Sequence, residues 1–126
     1  MKGIHIIADF HACAPVAREA MLDARQLEKA CLDACARAGL ENVGHVFHQF
    51  GTPQAPAGAT GTVILAESHI AVHTWPELDA VTLDIYVCNF SRDNRQRAEY
   101  LYDLMHALFR PARVERQTVE RGELAE

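Results

Sequence analysis

The segment from Ala80 to Cys88 constrains the fold more than any other part of this 126-residue chain. Large apolar side chains stand at every second position of the segment, namely Val81, Leu83, Ile85 and Val87. Such alternation predicts a β-strand with one apolar and one polar face, because successive side chains of a strand point to opposite sides of the sheet. The apolar face needs a layer of helices over it, whereas the other face, with Tyr86 and Cys88, is available for a site or a subunit contact.

Two further segments have the periodicity of amphipathic helices. The first covers residues 24–38, after a capping box formed by Asp23 and Gln26 and before Gly39. The second covers residues 91–109, where apolar side chains recur every three or four positions. The remaining strands are predicted at residues 3–10, 42–50, 62–66, 70–74 and 112–119. Irregular structure is predicted at residues 11–22, a glycine- and proline-rich loop at 51–61, and a frayed tail at 120–126.

The order of these elements predicts an α+β fold. Two helices would cover one face of an antiparallel sheet, giving a two-layer sandwich. The length predicts a single domain over residues 1–126. The uncovered face of the sheet would require a partner, and a second copy of the chain is the simplest one.

Charge and composition exclude several classes of protein. The net charge of −5 argues against a nucleic-acid partner, since binding to phosphates depends on an excess of lysine and arginine. Apolar runs are too short for a membrane span, and Asp9 interrupts the N-terminal one, so a cytoplasmic location without membrane contact is expected. The four cysteines match no zinc or redox spacing and are expected to be reduced thiols; they are Cys13, Cys31, Cys35 and Cys88.

The residues that could carry chemistry are concentrated between Ala66 and Glu77, in the sequence AESHIAVHTWPE. The hydroxyl of Ser68 could attack the carbonyl of Glu67, turning the amide into an ester. Elimination would then split the chain and leave a pyruvoyl group at the new N-terminus. Such a ketone forms a Schiff base with an amine and acts as an electron sink. Position alone does not distinguish this role from that of an ordinary turn serine, and a G-x-S-x-G nucleophile elbow is absent.

Two histidines and a cysteine are candidates for proton transfer. His69 and His73 lie on a predicted strand without a third ligand at useful spacing, so no metal site is expected. A general acid or base role for His73 is the better interpretation, and a hydrogen-bonded core histidine is the simpler one. Cys88 could give or take a proton if its thiol is reachable; otherwise it packs as a small apolar side chain.

The stretch from Ala66 to Glu77 resembles, almost residue for residue, the self-cleavage site of the prokaryotic S-adenosylmethionine decarboxylase proenzymes. The likeness extends to His48-x-Phe50, to Gly58–Gly61 and to Asp84-Ile-x-x-Cys88, and covers roughly residues 3–119. The resemblance implies pyruvoyl-dependent decarboxylation of S-adenosylmethionine, whose product serves spermidine biosynthesis. It also implies a homodimer in which two sheets pair and the sites form at their interface.

The resemblance assigns roles to individual residues. It implies cleavage between Glu67 and Ser68, which yields a β chain of residues 1–67 and an α chain of residues 68–126 that begins with the pyruvoyl group. His73 would assist self-processing, and Cys88 would reprotonate the substrate carbon after CO₂ leaves. The substrate would be bound by Phe50, Thr60, Trp75 and Glu77.

Two departures from the family pattern concern the substrate side. The loop between Phe50 and Gly58 is about three residues longer than in the family, and Asn89-Phe90 follows Cys88 where the family usually has glycine. These changes leave open a pyruvoyl-dependent decarboxylase of another amino acid, arginine or ornithine. An uncleaved homologue that acts as a binding or regulatory subunit is the third possibility.

Overall fold

The computed structural model describes residues 2–90 and 92–122. Its strands are Gly3–Cys13 (β1), Asn42–Gly51 (β2), Pro56–Leu65 (β3), Ser68–Trp75 (β4), Ala80–Cys88 (β5) and Pro111–Arg121 (β6). Its helices are Arg18–Leu22 (α1), Ala24–Arg37 (α2) and Arg95–Phe109 (α3). Short 3₁₀ turns occupy Pro15–Ala17 and Pro76–Leu78.

The strands form one antiparallel sheet in the order β2-β3-β4-β5-β1-β6. Chain neighbours β2 to β5 are also sheet neighbours, as their short connections require. β1 lies between β5 and β6, so the first and last strands of the chain are neighbours and β6 forms one edge of the sheet. The predicted α+β two-layer fold is confirmed, with α1 as an additional short helix.

The alternation in β5 is reproduced in its burial. Val81, Leu83, Ile85 and Val87 are at most 1% exposed, and the register pairs Ile6 with Ile85 on the same side. We call this side the helix face, because the buried side chains of α2 and α3 belong to the same core. The opposite side, here called the open face, carries the alternate residues of every strand.

The predicted loop at residues 51–61 is wrong for its second half, because β3 begins at Pro56. Only the turn from Thr52 to Ala55 is irregular, and these two residues exchange backbone hydrogen bonds of 3.0 and 3.2 Å. Gly61 is required by packing: a Cβ atom there would lie 2.1 Å from the ring of Phe47. A glycine that makes room for an aromatic ring thus has the same appearance in the sequence as a loop glycine.

Several element ends also differ from the prediction. β1 continues to Cys13, and part of the supposedly irregular stretch at 11–22 is helical. α3 begins at Arg95 instead of residue 91. β6 reaches Arg121, whose guanidinium lies 4.8 Å from the ring centre of Tyr86, so residues 120 and 121 are not frayed. Gly122 follows β6 without regular structure, and residues 123–126 of the predicted tail lie outside the described residues.

Two further expectations concern helices and thiols. In the part of the chain that the structure describes, no helix is long and apolar enough to cross a membrane. All four cysteines are free and buried, as expected for reduced thiols. Burial raises the pKa of Cys35 to about 12, and burial together with Asp79 raises the pKa of Cys13 to about 11, so both thiols are protonated at neutral pH.

We expect Thr74→Val to lower the free energy of unfolding by about 1–3 kcal/mol. The buried Thr74 hydroxyl donates to the Met21 carbonyl at 2.6 Å and accepts from the Ala59 amide at 2.9 Å, so valine leaves two backbone groups without this partner. Denaturant unfolding measures the change. The matched control is Thr62→Val, whose partly exposed hydroxyl donates to the Ile70 carbonyl at 2.9 Å. Equal losses in the two variants would contradict the expectation.

Candidate functional site

The Glu67–Ser68 peptide lies in the tight turn that joins β3 to β4. Leu65 ends one strand, Ser68 begins the next, and the two residues pair across the hairpin. The amide of Ala66 donates to the Glu41 carbonyl at 3.0 Å, which ties the turn to the start of β2. The break that the sequence predicts between two strands is therefore a turn held at one end of the sheet.

The carbonyl of Glu67 accepts a hydrogen bond from the backbone amide of Cys88, at an N···O distance of 3.2 Å. Cys88 ends β5 and follows Val87, which pairs with Ser68. An N–H group aimed at a carbonyl oxygen favours negative charge on that oxygen, as an oxyanion hole does. The structure thus brings together Glu67, Ser68 and Cys88, three of the residues that the sequence singled out.

A cavity of about 320 Å³ opens beside this turn and is lined by Leu40, Glu41, Leu65, Ala66, Glu67, Ser68, Arg92 and Asn94. Asn94 is 2% exposed, and its Nδ2 donates to Glu67 Oε2 at 3.2 Å and to the Cys88 carbonyl at 3.0 Å. Sequence reasoning missed this residue. Its available signal was an asparagine near the start of a helix, which is ordinarily a capping residue.

The predicted substrate-binding residues lie elsewhere on the protein. Thr60 and His73 are cross-strand neighbours on the open face, and Thr60 Oγ1 is hydrogen-bonded to His73 Nδ1. Trp75 lies two residues further along β4, with its indole Nε1 3.5 Å from Thr82 Oγ1. Phe50 and Trp75 are 48% and 45% exposed. We call Phe50, Thr60, His73 and Trp75 the His73 group.

Glu77 lies just beyond the His73 group, exposed in the 3₁₀ turn that follows Trp75. The longer stretch between Phe50 and Gly58 extends the β2–β3 hairpin past Phe50, with Gly51 paired to Pro56. This departure from the family pattern is therefore next to the predicted substrate pocket, whereas the other, Asn89-Phe90, directly follows Cys88. The hairpin stretch is far along the sheet from the Glu67–Ser68 turn.

Within one chain, His73 does not lie beside Ser68. The two residues are five positions apart on β4, which corresponds to about 16 Å at the rise of a strand. An odd separation also directs their side chains to opposite faces of the sheet. One chain therefore presents two separate groups: Glu67, Ser68 and Cys88 at one end, and the His73 group at the other.

His69 and His73, the two histidines four positions apart, are also separated in space. His69 and His73 are four positions apart, about 13 Å along the strand, too far to bind one ion. The His69 ring lies 5.7 Å from that of Tyr86, and burial, then the nearby His5, lower the pKa of His69. His5 in turn contacts Asp84 at 2.9 Å.

A second and larger cavity, about 660 Å³, is remote from the Glu67–Ser68 turn but adjoins the hairpin stretch that follows Phe50. It lies between α2 and the β2–β3 turn and contains none of the predicted site residues; its lining is Asp23, Ala24, Arg25, Glu28, Phe47, Gln49, Gly51, Thr52, Pro53 and Pro56. Gln49 there donates to the carbonyls of Leu22, Phe50 and Gly58. Its side-chain amide is thus used to hold the backbone together.

The fold matches that of a solved decarboxylase. The crystal structure of the adenosylmethionine decarboxylase from Aquifex aeolicus VF5 superposes with a TM-score of 0.83 at 31% identity, covering 98% of this chain and 93% of that one. The family model described as S-adenosylmethionine decarboxylase matches residues 4–122. The chain therefore belongs to the S-adenosylmethionine decarboxylase family.

Curated relatives agree with this assignment. The S-adenosylmethionine decarboxylase proenzyme of Thermoplasma acidophilum is 36% identical over 124 residues, which cover 98% of this chain and 86% of the relative. The proenzyme of the same name from Persephonella marina is 34% identical over 120 residues, or 95% and 82% of the two chains. Each alignment covers nearly the whole chain, including the positions of both groups of residues described above.

Proposed function

We propose that this chain is a proenzyme that cleaves itself between Glu67 and Ser68 and then decarboxylates S-adenosylmethionine. The product is the aminopropyl donor for spermidine biosynthesis. The observation that carries the proposal is the Glu67 carbonyl, which lies in a tight turn and is hydrogen-bonded to the Cys88 amide. Cleavage there yields a β chain of residues 1–67 and an α chain of residues 68–126.

Self-cleavage begins at the Ser68 hydroxyl. Its oxygen attacks the Glu67 carbonyl carbon; the C–N bond breaks, a C–O bond forms, and the hydroxyl proton is transferred to the freed amine. The Cys88 amide donates to the carbonyl oxygen while negative charge develops on it. A base then removes the Cα proton of residue 68, and the Cβ–O bond breaks to release Glu67 as a carboxylate. Addition of water and loss of ammonia convert the remaining dehydroalanine into the pyruvoyl group.

The surroundings of Ser68 fit such a group. Ser68 is partly buried and lines the 320 Å³ cavity, so residue 68 has space beside it and limited access to water. The pyruvoyl carbonyl supplies an electron sink for loss of CO₂ from an amino acid. Cys88 is buried, 8% exposed, but is not part of the main apolar core. We assign its thiol the role of proton donor to the substrate carbon after CO₂ has left.

The His73 group has the chemistry to bind a nucleoside. Phe50 and Trp75 offer exposed aromatic surfaces for stacking, and the Glu77 carboxylate can accept hydrogen bonds from ribose hydroxyls. Thr60 adds a hydroxyl that is already paired with His73. We propose that these residues bind the substrate and that His73 also assists self-processing.

A homodimer reconciles the two separate groups of residues. If two chains associate about a two-fold axis so that the His73 group of one lies against the Glu67–Ser68 end of its partner's sheet, the two groups meet there. Exposed apolar side chains on the open face support its burial in such a pair; they are Ile7, Val46, Ile64 and Val119. Each complete site would then contain residues of both chains.

We expect the purified protein to give two fragments by intact mass spectrometry, ending at Glu67 and starting at residue 68 without a free amine. We also expect it to release CO₂ from carboxyl-labelled S-adenosylmethionine. Cleavage with CO₂ release from arginine or ornithine instead would keep the enzyme class and change the substrate. A single full-length mass after long incubation, without CO₂ release, would overturn the proposal in favour of a binding or regulatory subunit.

A further inference from the structure

Beyond the residues already assigned, we infer that Asn94 is a positioning residue for self-cleavage. Its side chain links the Glu67 side chain to the end of β5, which keeps the Glu67 carbonyl hydrogen-bonded to the Cys88 amide. The inference rests on the proposed cleavage of the Glu67–Ser68 bond. It concerns a residue that contacts neither the attacking hydroxyl nor the substrate in the proposed chemistry.

Three hydrogen bonds join Glu67, Cys88 and Asn94 into one cluster. The Asn94 side-chain amide donates to the Glu67 carboxylate at 3.2 Å and to the Cys88 carbonyl at 3.0 Å. The Cys88 amide donates to the Glu67 carbonyl at 3.2 Å. Residue 67 is thus fixed through both its side chain and its backbone, on the side of the scissile bond that Ser68 must attack.

Helix capping does not explain this use of Asn94. An asparagine at a helix start usually accepts a backbone N–H through its side-chain oxygen. Asn94 makes no such bond in the described part of the chain, although it precedes α3. Its neighbours serve the helix start instead: Asp93 accepts from the Arg95 amide at 3.0 Å, and Asn89 accepts from the Asn94 amide at 2.8 Å.

This arrangement leaves the side-chain oxygen of Asn94 without a hydrogen bond to any described residue, which is energetically unfavourable for a buried polar atom. Oδ1 is buried and has no hydrogen-bond partner among residues 2–90 and 92–122. Reversing the amide would not help, because Oδ1 would then face the Glu67 carboxylate and the Cys88 carbonyl, both of which are acceptors. Buried polar atoms without partners are rare in proteins. The side chain nevertheless keeps Oδ1 unpaired among the described residues so that its amide can donate to Glu67 and Cys88, which indicates a functional constraint on these two hydrogen bonds.

We expect Asn94→Asp to slow self-cleavage by about 10- to 100-fold, since small displacements of reacting groups have effects of this size. Aspartate is a good residue for a helix start, so the fold should persist, but the ionised carboxylate cannot donate to either acceptor. The matched control is Asn89→Asp, which adds the same charge and keeps an oxygen for the Asn94 amide. Cleavage of purified precursor is followed by gel or mass spectrometry after folding is checked by thermal melting.

Two readouts distinguish positioning from a general structural effect. The deficit of Asn94→Asp relative to the unmodified chain should shrink as the pH falls, because protonation of the introduced carboxylate restores a donor. Adding Glu67→Gln to Asn94→Asp should also recover part of the rate, since the side-chain amide introduced at position 67 can then donate to the carboxylate at position 94. Destabilisation by two adjacent carboxylates would respond to the same changes, and thermal melting separates it: positioning requires a slow rate in a precursor whose melting temperature stays near that of the unmodified chain.

The inference is overturned if Asn94→Asp cleaves at the rate of the unmodified chain, or if Asn89→Asp is slowed equally. It is also overturned if neither low pH nor the Glu67→Gln change reduces the deficit. Failure of the unmodified chain to cleave would be a different result, which contradicts the proposed function itself.

Discussion

Alanine in place of Ser68 is expected to leave the protein as one uncut chain of 14.0 kDa that releases no CO₂. Without the hydroxyl, nothing at this position can take over the Glu67 acyl group, and no pyruvoyl group can form from residue 68. The fold should be retained, because Ser68 is only partly buried at the first position of β4. Intact mass spectrometry, CO₂ release and thermal melting measure the three effects.

The contrasting variant is Cys88→Ala, which removes the thiol and keeps the backbone amide that binds the Glu67 carbonyl. Cleavage should therefore proceed, whereas decarboxylation should fall by about 10²- to 10⁴-fold, the usual contribution of a positioned acid. Cys13→Ala is the matched control, since Cys13 is equally buried but lies at the end of β1 that pairs with Pro111. An uncleaved Cys88→Ala chain would assign the thiol to processing as well.

The parts of the fold that local patterns determine can be predicted from the sequence. The alternation in β5 identifies both ends of the strand and its buried side. The apolar stripe of α3 is confirmed, although the helix begins at Arg95 and not at residue 91. The failure at β3 has a physical cause. Gly58 and Gly61 are typical of a loop, yet Gly61 is needed only because the Phe47 ring of the neighbouring strand lies over it. A cross-strand contact of this kind leaves no local signal.

The site divides in the same way. Ser68 and Cys88 are identified by resemblance, and their proximity follows from the pairing of β4 with β5. Asn94 is 27 positions from Glu67, and only the packing of the α3 start against the sheet end brings the two together. The separation of His73 from Ser68 is not predicted in this way, because the sequence indicates a break at Glu67-Ser68 and a strand only over 70–74. It becomes visible once β4 is seen to begin at Ser68, which puts the two residues at an odd spacing on one strand. We call the Glu67–Ser68 turn and the His73 group two half-sites.

A mixture of two inactive variants tests whether these half-sites belong to different chains. We expect Ser68→Ala and His73→Ala chains to stay largely uncut when purified separately. When the two are refolded together with distinguishable tags, the His73→Ala chain should be cleaved and the Ser68→Ala chain should not. In a mixed dimer, one site combines the intact Ser68 of the His73→Ala chain with the intact His73 of the Ser68→Ala chain. If dimers form at random, up to about half of the His73→Ala chains should be rescued.

The matched control replaces the Ser68→Ala chain by one carrying both Ser68→Ala and His73→Ala, which should rescue nothing. Rescue by the single variant alone would locate the histidine action in the partner chain, in agreement with the distance of about 16 Å between the two residues of one chain. Absence of rescue in mixtures shown to contain mixed dimers would contradict the shared site. His73 would then have to reach Ser68 within its own chain, which requires β4 to leave the sheet before cleavage.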